Sequence, residues 1–525
     1  MQKRLFSYRG WLVGIPVAFV ALAVMVPILY LFVRAFDADG SQFIELLVRR
    51  RSVVLLLNTV SLAAVVLVLT TIIGFVFAWL AERTTFLSPR ILTILGVLPL
   101  AVPGYVMAYV MLGSLGDYGL LARLTGIQIS TISGFGGSAL VLTLYTFPYM
   151  FLNLRSGLAG LDPALEESSR TLGYSSRDSL RYVVLPQLRP AFLAGAMLVV
   201  LHVLGDFGVV SLMRFETLSY AVFLQYSAAF DRTYAACLAL ILLLLSGLLL
   251  YLEFRLLRGF SATQSWTSPR RRVPPKPAAG MTVLGSIIVG AVALTAVCLP
   301  IVTIAYWSFN GTLGALSIGR AFRGSISAAL PAAALAGFLA LSIAYVRVRY
   351  TSRATIAAER IAYIGYATPA LAFALAIIFF SLKAVPGLYQ SMTLMILALS
   401  VHFLAEAIGP IRTALLKSSI RLEEAARSLG RSGFQAFREV TFPTIRSSVL
   451  AGTVLVFLSV MKELPITLLL SPTGFRSLAV NVWMFTNEAQ FGMAAPFALL
   501  IIFASGCFAA FALRHHDPIP KSGDQ

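Results

Sequence analysis

Long apolar runs separated by short polar stretches set the first expectation for this chain of 525 residues. Twelve of them reach the roughly 20 residues that cross a bilayer as a helix. They run at about 11–33, 53–81, 91–112, 137–154, 191–213, 233–254, 281–307, 326–346, 358–382, 391–411, 448–471 and 493–513. Apolarity sustained over that length, without the alternation of strands, predicts helices that are apolar all round. The expected fold is an all-α polytopic membrane protein of about 12 transmembrane helices.

Composition sharpens this picture. Only 12% of residues are charged, against about 25% in soluble domains, and mean hydropathy is +0.86. A soluble fold is excluded. The net charge of +19 would suit a nucleic-acid partner, but its distribution does not. With the N-terminus placed in the cytoplasm, the segments on that side carry 29 of the 41 Lys and Arg. That is the bias of cytoplasmic loops, which face anionic membrane lipid. No nucleic-acid partner is expected, and both termini are placed in the cytoplasm. Arg49, Arg50 and Arg51 break the rule by falling in the first external loop. The opening MQKRLFSYRG and the run Trp11–Val33 read as an uncleaved first span. Cys237, Cys298 and Cys507 form no CxxC or metal spacing and read as small buried hydrophobes.

An internal repeat organises the whole. Leu165–Gly195 returns as Leu422–Gly452, with 14 of 31 positions identical, where unrelated segments share about two. The shared residues include Glu166/Glu423, Glu167/Glu424, Arg170/Arg427, Gly173/Gly430, Arg181/Arg438, Pro186/Pro443 and Arg189/Arg446. Upstream, Asn58–Ala64 resembles Gly324–Leu330, and Pro103 matches Pro369, both at a shift near 266. Pro103 and Pro369 lie inside apolar spans, where each is expected to kink its helix. Residues 255–280 are basic and hold Pro269, Pro274, Pro275 and Pro277, which favours an extended linker. The division is a first repeat over 1–254, the linker 255–280, and a second repeat over 281–525. Six spans per half make the repeats parallel. Both copies of the repeated loop, 155–190 and 412–447, then face the cytoplasm.

The loop reads as an elbow. Asp162 caps a short helix with Pro163 in its first turn. Glu166 and Glu167 favour the positive helix N-terminus, and Leu165, Ser169 and Leu172 share a face at helical spacing. Gly173 stops the helix in a positive-φ turn, and a second helix near Ser176–Val184 is ended by Pro186. The second copy repeats this with Glu423–Leu429, Gly430, a helix near Phe434–Val440, and Pro443. An interfacial helix lying on lipid asks only for amphipathicity. Glycine and proline kept in register twice point instead to a docked partner.

Glu167-Ser168-Ser169, Gly173, Val183 and Leu185-Pro186 carry a specific resemblance, as do Glu424-Ala425-Ala426, Gly430, Val440 and Phe442-Pro443. Their spacing resembles the EAA loop of ABC-importer permeases. The departures are Ser-Ser for Ala-Ala, Val for Ile in both copies, and Phe442 for Leu. The resemblance covers nearly the whole chain, as two fused permease domains. It implies an inner-membrane subunit whose two elbows couple to two copies of a cytoplasmic ATP-binding subunit. The implied coupling residues are Glu166, Glu167, Gly173, Leu185, Pro186, Glu423, Glu424, Gly430, Phe442 and Pro443. A periplasmic or extracellular solute-binding protein is the other implied partner.

No GxxxxGK[ST] phosphate loop occurs, and neither Lys417-Ser nor Lys521-Ser has the required glycines. The chain is not expected to be an enzyme, and no cofactor is expected. Polar residues within the spans are few. Asp206 pairs with Glu463 at the 257-residue shift, beside Lys462. These three are the candidate translocation-pathway residues. The two acids either attract a cation or serve as structural partners of Lys462 or of a backbone end. His202 and His402 stand apart and read as packed side chains. Gly205–Leu212 and Lys462–Trp483 resemble the fused permeases of ferric-iron importers. Permeases for thiamine are the nearest alternative, and those for phosphonate or polyamine lie further off. A major-facilitator secondary transporter also has twelve spans in two parallel halves, but it asks for buried titratable chains rather than two matching elbows.

Overall fold

The computed structural model describes residues 8–36, 45–117, 119–257, 279–310, 318–350 and 352–515. The first half comprises α1 (Tyr8–Phe36), α2 (Arg50–Arg83), α3 (Pro89–Val97), α4 (Gly104–Ser114), α5 (Gly134–Ala159), α6 (Pro163–Thr171), α7 (Ser176–Gln187), α8 (Arg189–Gly205), α9 (Gly208–Leu212), α10 (Leu218–Ser227) and α11 (Arg232–Leu257). The second comprises α12 (Val283–Asn310), α13 (Ile318–Arg349), α14 (Arg353–Ala367), α15 (Ala370–Ala384), α16 (Met392–Lys417), α17 (Ile420–Ser428), α18 (Gly433–Lys462), α19 (Pro465–Leu470), α20 (Leu478–Asn487) and α21 (Phe491–His515). Among the described residues there is no strand. Among the described residues, eight helices are long and apolar enough to cross a membrane, or up to eleven if each bent pair counts as one span. Phe491–Gly506, a shorter apolar helix, stands at the twelfth place. This is the expected all-α polytopic architecture.

The exposed faces explain the hydropathy. On α1, Ile15, Leu22, Leu29 and Val33 are exposed, while Val20, Val24, Ile28 and Leu31 are buried. Both faces are aliphatic because one meets protein and the other lipid. Polar side chains inside the helices turn back to their own backbone, as Thr70 Oγ1 does to Val66 O at 2.8 Å. Small residues let helices approach closely. A Cβ at Gly195 would lie 2.9 Å from Met150 Sδ, and at the matching Gly452 it would lie 3.0 Å from Ala407 Cα. The contact of α8 with α5 is thus remade between α18 and α16.

Two compact units divide the chain differently from the sequence repeat. One holds Met1–Ser52, Ala221–Leu243 and Leu316–Asn481; the other holds Val53–Tyr220, Leu244–Ala315 and Val482–Gln525. In the first, α1 packs on α13 to α16 of the second half, with Val24 against Gly365 and Tyr30 edge-on to Phe380 at 6.3 Å. In the second, α12 packs on α4, where Trp307 Nε1 donates to Gly113 O at 3.0 Å and the Thr303 and Ser114 hydroxyls bond at 2.7 Å. Each unit therefore takes the first helix of the other half.

Several expectations change. Pro103 and Pro369 do not kink a continuous span. Each sits at a helix N-cap in extended conformation, and the paired segments meet at 91° and 106°. A proline that cannot donate is placed where no intrahelical donor is needed. The fifth and eleventh spans end at Gly205 and Lys462, well before 213 and 471, and short helices α9 and α19 come next. Cys237 is buried as expected, but Cys298 is exposed on α12. The side chain of Cys507 and most of the 255–280 linker, including its four prolines, lie outside the described residues.

Candidate functional site

The first elbow is built by local caps. The Asp162 carboxylate accepts from Ala164 N at 2.9 Å and starts α6. Gly173 then turns the chain at φ 87°, and Tyr174 N donates to Ser169 O at 3.1 Å, closing the helix end in a left-handed cap. A Cβ at Gly173 would meet nothing within 4 Å, so backbone conformation and not space calls for glycine. Ser175 caps α7 by accepting from Asp178 N at 3.2 Å. Ser169 Oγ donates to Ser179 Oγ at 2.8 Å and ties α7 to α6.

The second elbow repeats this with different atoms. Ser419 caps α17, Gly430 turns at φ 86°, and Ser432 and Gln435 form a capping box at the start of α18. Ala426 and Ala436 occupy the places of Ser169 and Ser179. Both elbows contain a π-helical turn in the same register, Leu180–Val184 and Phe437–Thr441. Leu185 N and Phe442 N donate five residues back, to Leu180 O and Phe437 O. Those turns precede Pro186 and Pro443 and absorb their missing donors. Neither proline ends its helix, contrary to expectation; α18 runs through Pro443 into the span.

The two glutamates of each motif have opposite environments. Glu166 and Glu423 are 7% and 4% exposed, so they are more than helix-dipole partners. Arg83 Nη1 of α2 donates to Glu166 Oε2 at 3.0 Å. Around Glu423, Tyr345 Oη donates to Oε1 at 2.6 Å, Arg427 to Oε1 at 3.1 Å, and Thr441 Oγ1 to Oε2 at 3.1 Å. Arg349 Nε stands 3.4 Å from Oε2. A Tyr350 hydrogen bond, with the Glu423 charge, raises the Arg427 guanidinium above its ordinary value. Glu167 and Glu424 are exposed.

The expected face of Leu165, Ser169 and Leu172 is not a common face. Ser169 is buried toward α7, while Leu165 and Leu172 are exposed, Leu172 at 77%. In the second copy Leu422 and Leu429 are exposed, Leu429 at 85%. Leu185 and Phe442 are also exposed, as is Pro443, whereas Pro186 is half-buried. Each elbow thus turns one glutamate inward and leaves leucines exposed beside the other.

The acids of the spans have a different task. Asp206 ends α8, and its Oδ1 accepts from Val209 N at 2.8 Å while Tyr145 Oη donates to Oδ2 at 3.1 Å. Glu463 ends α18; Oε1 accepts from Ile466 N at 2.6 Å, and Oε2 accepts from Thr467 N and Oγ1, both at 2.8 Å. Each carboxylate caps the short helix after a break. Lys462 interacts with Glu406 of α16, which accepts from Ser459 Oγ at 2.7 Å. Sequence reasoning missed Glu406, because its partner in the first repeat is Tyr149 and no acid pair marks it. His202 packs on Tyr149 at 4.4 Å with Nδ1 against Leu198 O, and His402 packs among Phe373, Tyr366 and Phe403. Among the described residues, no three His, Cys, Asp or Glu side chains gather to hold a metal ion.

Known proteins resemble this chain in sequence. The family described as "Binding-protein-dependent transport system inner membrane component" matches twice, over residues 71–261 and 333–518, each match holding one elbow. The Fe(3+)-transport system permease protein of Haemophilus influenzae is 31% identical over 495 residues, 93% of this chain and 95% of that protein. The sulfate transport system permease of Salmonella typhimurium is 29% identical over 248 residues, 45% of this chain and 88% of its own length. The molybdenum transport system permease of Escherichia coli is 32% identical over 137 residues, 26% of this chain and 60% of its own. With two matched domains, paired elbows and apolar spans, this chain belongs to the binding-protein-dependent transport system inner membrane components, as a permease with two fused domains.

Proposed function

We propose that this permease imports ferric iron across the bacterial inner membrane, driven by ATP hydrolysed on two copies of a separate cytoplasmic subunit. One observation carries the coupling. Two elbows of matching geometry each present an exposed leucine pair, Leu165/Leu172 and Leu422/Leu429, which a docked ATPase would bury. Glu167 and Glu424 would meet cationic groups of that subunit. The termini and both elbows lie on the cytoplasmic side, as the Lys and Arg distribution favours, and a solute-binding protein delivers the cargo from the other side.

Ferric iron is favoured because a relative aligned along nearly the whole chain is a Fe(3+) permease. The sulfate and molybdenum permeases align with about half of the chain or less, and they make an oxyanion the second reading. Asp206 and Glu463 hold the ends of the fifth-type spans in shape and touch the cargo little, since their oxygens accept from backbone N–H groups and from the Tyr145 and Thr467 hydroxyls. Asp206→Asn with Glu463→Gln keeps one acceptor on each cap and is expected to leave uptake within about twofold. A tenfold loss with folded protein would restore them as pathway residues.

The deciding experiment reconstitutes the permease with its ATPase subunit and binding protein in liposomes. Ferric ion, thiamine, sulfate and molybdate are added in turn, and ATP hydrolysis and uptake are measured. Stimulation by ferric ion alone supports the reading; stimulation by an oxyanion or by thiamine alone overturns it. Hydrolysis without the ATPase subunit would sink the coupling.

A further inference from the structure

Ion pairs are buried behind both elbows. At the last turn of α2, Glu82 accepts from Arg155 Nε of α5 at 2.7 Å, and the neighbouring Arg83 donates to Glu166 of α6 at 3.0 Å. Two successive residues thus hold the helix before the elbow and the helix of the elbow. Arg155 also donates to Thr93 of α3. In the second repeat one residue does both jobs. Arg349 of α13 donates to Ser418 O, at the end of α16, at 3.2 Å and stands 3.4 Å from Glu423 of α17. Beside it, Glu359 of α14 accepts from Arg347 and from Arg412 of α16, both at 2.9 Å.

The register makes this more than a local accident. Arg83 and Arg349 correspond at the upstream shift, Glu166 and Glu423 at the downstream shift. Partners separated by 83 residues in the first copy find each other again across a shorter connection in the second. Arg155 and Arg412 also correspond, as do their partners Thr93 and Glu359. The side chains of Arg83 and Arg349 are 13% and 6% exposed, so neither is a solvated surface charge. Breaking such a pair on one side leaves a buried charge unpaired. An elbow so held cannot shift against the ends of α2 and α5, or of α13 and α16, without separating buried charges.

We propose that Arg83 and Arg349 are positioning residues that make each elbow one mechanical piece with the spans beside it, so that a push on the elbow enters the membrane instead of being absorbed in its loops. This rests on the reading of the elbows as ATPase-docking sites. The two glycine turns, with no neighbour at the absent Cβ, leave the elbow's outer tip free to adapt. The Arg–Glu pair fixes its inner side.

The test uses the full permease assembled with its ATPase subunits, with ATP and vanadate or without nucleotide. Amide hydrogen exchange is monitored at the elbow (163–187) and at the last turns of α2 (76–83). In the wild type both segments are expected to change on nucleotide binding. Arg83→Ala is expected to keep the elbow's response and lose that of α2. The neutral pair Arg83→Met with Glu166→Gln, which buries no unpaired charge, is expected to do the same even if Arg83→Ala does not fold. The reversed pair Arg83→Glu with Glu166→Arg is expected to return the α2 response. Joint response of the two segments in the neutral pair overturns the positioning role while leaving docking intact. A wild-type elbow that does not respond, or a complex without bound ATPase, overturns docking and the proposal with it.

Discussion

The two elbows are the same turn made by different chemistry. Each has a glycine near φ 87° and a π turn before its proline, and each buries the first of two adjacent glutamates. They differ in the surroundings of that glutamate and in the join to the next span. Tyr345 and Thr441 both donate to Glu423, where the first repeat has Trp79 and Val184. Beyond the elbow, α7 and α8 meet at 63°, whereas α18 continues without a break from Gly433 to Lys462. Pro190 stands at the bend, and Ser447 stands in its place in the second copy. A proline there removes the donor that would carry the helix on. The backbone of the elbow is therefore held fixed, while its attachment to the next span is allowed to vary.

The largest expected effect tests the surroundings of the buried glutamate. Glu423→Ala strips a carboxylate from Arg349, Tyr345 and Thr441 at once and should cost about 3–5 kcal/mol, as removal of one member of a buried pair does. Glu166→Ala spares a phenol and a threonine and should cost less. Thermal unfolding of the purified permease in detergent ranks the two; an equal loss would mean that the extra donors of the second copy contribute nothing.

Next comes the helix break. Ser447→Pro should install a bend in α18 at a cost of about 3 kcal/mol, typical of proline in a helix interior. Pro190→Ser should straighten the α7–α8 junction with little loss of stability. Spin labels on either side of residue 190 or 447 report the change in distance; unchanged distances in both variants would show that packing, not proline, sets the bend. Gly173→Val and Gly430→Val should each cost about 1–2 kcal/mol from backbone strain alone. Uptake should fall about tenfold in the double variant with the protein still folded. Normal uptake would remove the elbows from the coupling path.

Each feature was legible in the sequence to the extent that it leaves a mark there. Spans were legible because lipid demands apolarity along their whole length. The elbows were legible because a positive-φ glycine and a proline in register leave fixed letters twice. Glu166 and Glu423 stood out as repeated letters, but their burial did not, since it depends on Arg83 and Arg349 some 80 residues away. The exchange of α1 and α12 between the halves was invisible for a similar reason. Apolar helices carry no mark of which neighbour they pack against. Asp206 and Glu463 were found as rare acids in apolar runs. Their capping task became clear only with the breaks at Gly205 and Lys462, where each run still reads as continuous apolar sequence.

The smallest effect isolates one difference between the elbows. Ser169 Oγ and Ser179 Oγ bond at 2.8 Å across α6 and α7, and Ala426 and Ala436 fill the same places in the second copy. Replacing both partners of a buried hydrogen bond with apolar groups is nearly neutral, whereas removing one leaves the other unsatisfied at about 1 kcal/mol or more. Ser169→Ala alone should therefore destabilise more than Ser169→Ala with Ser179→Ala together, because it takes the partner from the buried Ser179 hydroxyl. Ser169 Oγ is also placed to donate to Glu166 O at 2.8 Å, so Ser179→Ala alone leaves Ser169 bonded and should fall between them. A double-mutant cycle by thermal unfolding checks this, since contacting residues are where additivity fails. Strict additivity would mean that the two hydroxyls do not sense each other. The alanine pair of the second elbow would then be a different solution to packing these helices, and not the same joint with its hydrogen bond left out.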